Sequence, residues 1–296
     1  MKNNKGSKLT DSQFGILLAI PALAVFASVI LYPVINSIIM SFTNQSLLYP
    51  DREFIGLKNY IEIFSDPNFF AVLKSTMIFV VGVTILSFTL GFIWAILLNQ
   101  DFFGSEFLRG ITLVNWIIPG TAIGFLWMWI FNGQYGVLNS ILKNLGIINN
   151  NISWLGNTKT AMFGVILARS WQVLPWFMAL LLAGLKGIPR NHVEAARVDG
   201  ASNWQVFRHI VLPNMKFIIS LVLILGTIGA MQHFDIIWVM TQGGPARATT
   251  TFAVEVYRRA FQDFSIGKAA TIGVVWIFIL SGFMYLYTRN LKQEDK

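Results

Sequence analysis

Six runs of apolar residues, each long enough to cross a bilayer, decide what this chain can fold into. They cover Phe14–Phe42, Ala71–Leu98, Ile111–Phe131, Ala161–Leu185, Ile210–Trp238 and Ala269–Tyr287. A spanning helix needs about 20 predominantly apolar residues. With no water in the hydrocarbon region, only a helix satisfies the backbone of such a run from within. The 296 residues are 55% hydrophobic and 12% charged, where a soluble domain carries about 25% charged residues. The expected fold is therefore an all-α, multi-pass integral membrane protein with six transmembrane helices and both termini on one side. Residues 1–13 read as a tail, 14–288 as the six-span body with a polar loop at 190–213, and 289–296 as a second tail.

Charge and composition exclude several function classes. The formal charge is +8, yet Lys and Arg lie in short segments between apolar runs, not in a basic helix or an aromatic-basic patch, so no nucleic-acid partner is expected. No cysteine is present, which removes disulfides, thiolate metal sites and a cysteine nucleophile. His192, His209 and His233 lack metal-ligand spacing, and no metal site is expected. The first apolar run is too long for the core of a cleaved signal and is expected to remain as a span. A phosphate-cradling loop needs Gly-x4-Gly-Lys-Ser/Thr; Gly267-Lys268 is followed instead by Ala269. No catalytic constellation is evident, so the chain is not read as an enzyme. If it uses ATP, another chain hydrolyses it. Placing the N-terminus inside puts twelve Lys and Arg in the inner segments and nine in the much longer outer ones, which favours cytoplasmic termini.

The long polar segment from Glu194 to Pro213, EAARVDGASNWQVFRHIVLP, has a grammar of its own. Asn191, with Glu194 three residues on, can open a short helix, and Gly200 can close it in a left-handed C-cap. Ser202 and Gln205 form a second capping-box pattern. Trp204, Phe207 and Val211 then fall on one face. The expected structure is helix, glycine turn, helix, at a membrane surface.

Glu194, Ala195, Ala196, Gly200, Ile210, Leu212 and Pro213 together resemble the EAA loop of ABC importer permeases. Two other stretches resemble the carbohydrate class of that family. One is Phe54, Gly56, Leu57, Asn59, Tyr60 and Phe64 in the first outer segment. The other is Thr241, Gly243, Gly244 and Pro245 with Thr249–Thr251, Tyr257, Ala260-Phe261, Gly267 and Ala270. Family members often carry Gly where Gln242 stands here. The resemblance covers residues 14–288. It implies the type I ABC importer permease fold, with the EAA loop as a coupling helix that docks on a separate ATPase subunit. Glu194, Ala195, Ala196, Asp199, Gly200, Trp204 and Phe207 are then the coupling residues, and Gly243, Gly244 and Pro245 a rigid scoop beside the pore mouth.

The same resemblance implies the partners. These are a second homologous permease in a heterodimer, two ATPase subunits carrying the ATP and Mg, an extracytoplasmic solute-binding protein and a carbohydrate substrate. The implied location is a bacterial inner or plasma membrane, and this chain itself binds no cofactor. Polar residues within spans are costly in lipid and face a cavity or a partner. Arg169, Gln172 and Trp176 on the fourth span, and Gln232, His233 and Asp235 on the fifth, are the candidate substrate pathway. In the maltose-type importer the pocket is lined from these two spans. Trp171 and Trp176 are of a kind that stacks on sugar faces, with helix packing as the plain alternative. Arg169 either meets substrate or pairs with Asp235. The rival function is a secondary transporter or channel that needs no ATPase; the EAA loop and the lack of an evident inverted repeat stand against it.

Overall fold

The computed structural model describes residues 10–100 and 102–294. Lys2, Lys5, Lys8 and the rest of residues 1–9, together with residues 295–296, lie outside the described residues. The architecture is all helical. In chain order the helices are α1 (Asp11–Phe26), α2 (Tyr32–Ser41), α3 (Lys58–Ser65), α4 (Pro67–Leu98), α5 (Ser105–Ile117), α6 (Gly120–Ile130), α7 (Val137–Asn144), α8 (Ala161–Lys186), α9 (Arg190–Val198), α10 (Asn203–Val206), α11 (Leu212–Met231), α12 (Asp235–Thr241), α13 (Phe252–Tyr257) and α14 (Ile266–Glu294). Among the described residues, five stretches are long and apolar enough to cross a membrane: Phe14–Ser41, Pro67–Leu98, Ala161–Lys186, Asn203–Met231 and Ile266–Tyr285. A sixth crossing requires α5 and α6 together, and these are bent by 96°.

Two of the expected spans differ in detail. The third is not one helix, because the chain is extended at Ile118 and Pro119 (ψ 132 and 139°); a proline disfavours helical backbone in the residue before it. The fifth starts earlier than expected, at Asn203, so the second helix of the polar loop runs directly into the membrane. It also stops at Met231, and α12 resumes after Gln232–Phe234. The fourth continues as one helix through Pro175. Helices join through wide π-turns at Ala27–Leu31 and Phe207–Val211, each ending two residues before a proline, Pro33 and Pro213. A helical proline offers no amide and crowds the carbonyl four residues back. The wider turn bonds Tyr32 N–H to Ala27 O and Leu212 N–H to Phe207 O instead.

The helices fall into two compact units. One contains residues 10–65 and Arg258–Ile277. Its long α1–α2 stretch is apolar but uncovered within the unit, with none of its most hydrophobic window buried. The C-terminal carbonyls of α2 would be orphans. Asn59 Nδ2 donates to Ser41 O at 3.0 Å and to Thr43 O at 2.9 Å, and Thr271 Oγ1 donates to Ser41 O at 3.0 Å. Ser41 Oγ and Tyr60 OH share a 2.7 Å hydrogen bond. The Asn59-Tyr60 pair of the outer-segment pattern thus finishes the first span. A Cβ on Gly267 would lie 2.1 Å from Thr43 O, so only glycine fits there.

The second unit contains Asp66–Tyr257 and the chain from Phe278 onward. Its core lies between α4 and α8, where Phe79, Val83, Phe177, Met178 and Leu181 are buried. Phe177 is the central side chain. Glycines open the space for it: a Cβ on Gly91 would lie 2.8 Å from Phe177 Cβ, and one on Gly226 would lie 2.3 Å from Phe177 Cζ. The Gly120 and Gly124 pair lets α6 lie close against α12, with Gly120 facing Asp235 and Gly124 facing Val239.

Candidate functional site

The polar loop folds as helix, left-handed glycine, helix. Gly200 has φ +84°, and Ala201 N–H returns to Ala196 O at 2.9 Å. Ser202 and Gln205 form the complete reciprocal capping box. One expectation changes. The first helix starts at Arg190 behind Pro189, not at an Asn191 cap, because proline's fixed φ already suits a helix start. Glu194, Ala195, Asp199 and Gly200 are exposed, Ala196 half-buried. Among the described residues the side chains of Glu194, Arg197, Asp199 and Arg208 have no hydrogen-bond or ion-pair partner. Trp204 is 65% exposed and stacks on Phe207 with centroids 5.7 Å apart. Phe207 in turn touches Phe92 of α4 at 6.1 Å. The loop therefore presents free charges and an aromatic pair braced from one side.

Within the spans of the second unit lies a cleft of about 210 Å³. Val83 of α4, Trp116 of α5, Arg169, Val173 and Trp176 of α8, and Leu225, Gly226, Gly229 and Ala230 of α11 surround it. Of the six substrate-pathway candidates, Arg169 and Trp176 line this cleft. Gln172 stands behind them: Arg169 Nη1 donates to Gln172 Oε1 at 2.6 Å, and Gln172 Nε2 donates to Ile118 O at 3.1 Å. That second bond satisfies the carbonyl freed by the break between α5 and α6, as non-helical backbone at membrane depth requires. Gln172 is thus a structural support for Arg169.

Asp235 sits at the start of α6; a Cβ on Gly120 would be 3.4 Å from its Oδ2. A carboxylate is favoured at a helix N-terminus. Arg169 has no carboxylate within ion-pair distance among the described residues, and Asp235 acts on it only through space. Gln232 and His233 occupy the break between α11 and α12. His233 lies flat against Phe79, 6.3 Å between centroids, and its buried Nε2 has no partner among the described residues. Neither they nor Asp235 line the cleft. Trp171 meets Trp127 edge-on at 6.0 Å, a packing role.

Sequence reasoning missed Trp116 and the glycines Gly226 and Gly229 on the cleft wall. Their one signal was a tryptophan and a Gly-x-x-Gly spacing inside spans. Gly243–Pro245 fold into a self-bonded turn. Thr249 Oγ1 donates to Gly244 O and Thr250 Oγ1 to Gly243 O, each at 2.8 Å, and Arg247 pairs with Glu255. Gln242 is left-handed at φ +50°, a conformation that glycine adopts without strain.

Discontinuous helices around a cleft within the spans, joined to an exposed charged loop, define a polytopic transport protein. The sequence model of the binding-protein-dependent transport system inner membrane component family matches residues 87–293, and this chain belongs to that family. It is 35% identical over 292 residues to the trehalose/maltose transport system permease protein MalF of Thermococcus litoralis, covering 98% of each chain. It is 32% identical to the sulfoquinovosyl glycerol transport system permease protein SmoG of Agrobacterium fabrum, covering 97% of this chain and 93% of that one. Its fold matches a subunit of a bacterial alginate ABC transporter, crystallised in complex with an alginate pentasaccharide-bound periplasmic protein. That match has a TM-score of 0.82 and 18% identity, and covers 96% of this chain and 95% of the other. The chain is an inner-membrane ABC importer permease, the pore subunit of a binding-protein-dependent system.

Proposed function

We propose that this permease passes a carbohydrate from an extracytoplasmic binding protein into the cytoplasm by alternating access. Its expected partners are a second homologous permease and two ATPase subunits, on which ATP and Mg reside. The observation that carries the substrate class is the cleft in which Trp116 and Trp176 stand beside Arg169. Aromatic faces and a fixed polar group are what a sugar needs from a binding wall. Relatives named for trehalose, maltose and sulfoquinovosyl glycerol support the same class.

Coupling is assigned to α9 and α10. Glu194, Asp199, Arg197 and Arg208 offer unused charge to a protein groove, and Trp204 with Phe207 offers the apolar anchor. Because α10 runs on into α11, a push on this loop moves a span that borders the cleft. The loop and both termini are then cytoplasmic.

The test is ATP hydrolysis by the purified assembly in lipid, with its binding protein and a panel of sugars. Hydrolysis stimulated by one sugar together with the binding protein supports the reading. An assembly that lacks ATPase partners and moves solute down an ion gradient overturns it in favour of a secondary transporter.

A further inference from the structure

Arg169 is an expensive residue to hold within a spanning helix, and although the Asp235 carboxylate acts on it through space, no carboxylate among the described residues makes an ion pair with it. Its Nη1 bonds a neutral amide, Gln172, at 2.6 Å. Its Nε is buried and has no acceptor among the described residues. The nearby carboxylate, Asp235, lies instead beside Gly120 at the start of α6. Other cleft residues cannot serve as counter-charge, since Val83, Trp116, Val173, Trp176, Leu225, Gly226, Gly229 and Ala230 are all uncharged. The result is a positioned guanidinium with unused donors, facing a space bounded by two indoles. Gln172 is itself tied to Ile118 O, so the acceptor that positions the guanidinium is fixed by the break in the α5–α6 pair.

A guanidinium presents a planar fork of donors that matches a carboxylate or sulfonate, whereas a neutral hydroxyl uses only one of them. We infer that Arg169 makes this cleft selective for carbohydrates carrying a carboxylate or sulfonate group. The sugar ring lies against Trp116 or Trp176 and its anionic substituent completes the donors of Arg169. This inference rests on the importer reading above and narrows its substrate class.

The experiment uses the whole assembly, permease with its partner subunits, in lipid nanodiscs without binding protein, so that the cleft's own preference is read. Quenching of tryptophan emission is titrated with trigalacturonate and sulfoquinovose, and with maltotriose and glucose as uncharged probes. Expected is binding of at least one anionic probe about ten-fold or more tighter than its uncharged counterpart, the scale of one charge-assisted hydrogen bond. Arg169→Gln should abolish that preference, weakening the anionic probe more than its uncharged counterpart, and Arg169→Lys should restore part of it. Equal or tighter binding of the uncharged probes by the unaltered assembly overturns the inference, whether or not the variants fold. So does an anion preference that survives in Arg169→Gln. If uncharged sugars alone stimulate hydrolysis with the binding protein, the importer reading stands and the anion inference falls. If no sugar of either class binds or stimulates, both fall.

Discussion

Phe177 shows how single residues hold the permease body together. It fills the gap that Gly91 and Gly226 leave between three spans, and any side chain at Gly226 meets its ring at once. Gly226→Ala is therefore expected to destabilise by about 1–3 kcal/mol through overpacking, read as a lowered midpoint in thermal unfolding of the purified assembly. Gly229, three residues on and also on the cleft wall, has nothing within 4 Å of its added Cβ. Gly229→Ala should leave the midpoint unchanged or raise it. A fall equal to that of Gly226→Ala would mean that the Phe177 contact is not what sets the cost, because helix propensity alone favours Ala over Gly. A second residue-scale effect concerns Glu62. Lys268 Nζ lies 2.7 Å from it, and this hydrogen bond and charge hold the Glu62 carboxyl below its usual 4.5. A depressed carboxylate contributes stability above its unfolded pKa and loses it as pH falls through the folded one. Both side chains are about two-fifths exposed, so the pair stabilises by about 1 kcal/mol or less. The unfolding midpoints of the wild type and Glu62→Gln should differ slightly at neutral pH and converge as pH drops below 4.5; a gap that widens on acidification would refute the pairing.

Among the elements, the α9–α10 loop is where sequence and structure agree most closely, and the reason is locality. Gly200, Ser202 and Gln205 act on neighbours within four residues, so their roles are written in the spacing itself. Nothing lies within 4 Å of a Cβ built on Gly200, so its requirement is purely the left-handed backbone. Gly200→Val should break the turn and uncouple ATP hydrolysis from transport, while Gly200→Asn, which tolerates that conformation, should retain most coupling. The measurement is transport per ATP hydrolysed in proteoliposomes; normal coupling in a fully assembled Gly200→Val transporter would sink the assignment. Ser202→Ala removes the cap and should destabilise by about 1 kcal/mol. What the spacing did not show depends on residues far apart in the chain. Pro119 lay in plain view inside the third apolar run. The 96° bend, though, is stabilised by Gln172, more than fifty positions on, bonding Ile118 O. The placing of Asp235 likewise turns on Gly120, where α6 leaves room for the carboxylate. Trp116 joins the cleft only because that bend carries α5 there. The π-turn before Pro213 has a local cause, but it is legible only once the helix is known to run unbroken from Asn203 to Met231.

For the molecule as a whole, the consequence of that bend is topological. α5 has 13 residues and α6 has 11, which at 1.5 Å per residue makes legs of about 20 and 16 Å. With the bend shared equally between them, the pair advances roughly 24 Å along the membrane normal, against about 30 Å of hydrocarbon. The non-helical residues at either end make up the difference, so one crossing is geometrically sufficient. Were the pair instead to dip in and return, residues 132–160 would stay on the face from which α5 departs. α8 would then deliver the α9–α10 loop to the opposite, outer face, where no ATPase could meet it. The coupling role of Glu194 and Gly200 therefore stands or falls with this crossing. The sequence contains no cysteine, so single substitutions report cleanly. Asn150→Cys, in the segment between α7 and α8, should react with a membrane-impermeant maleimide in right-side-out vesicles. Asn203→Cys, at the start of α10, should react only in inside-out ones. The reverse pattern would establish a re-entrant pair and remove the α9–α10 loop from the coupling mechanism.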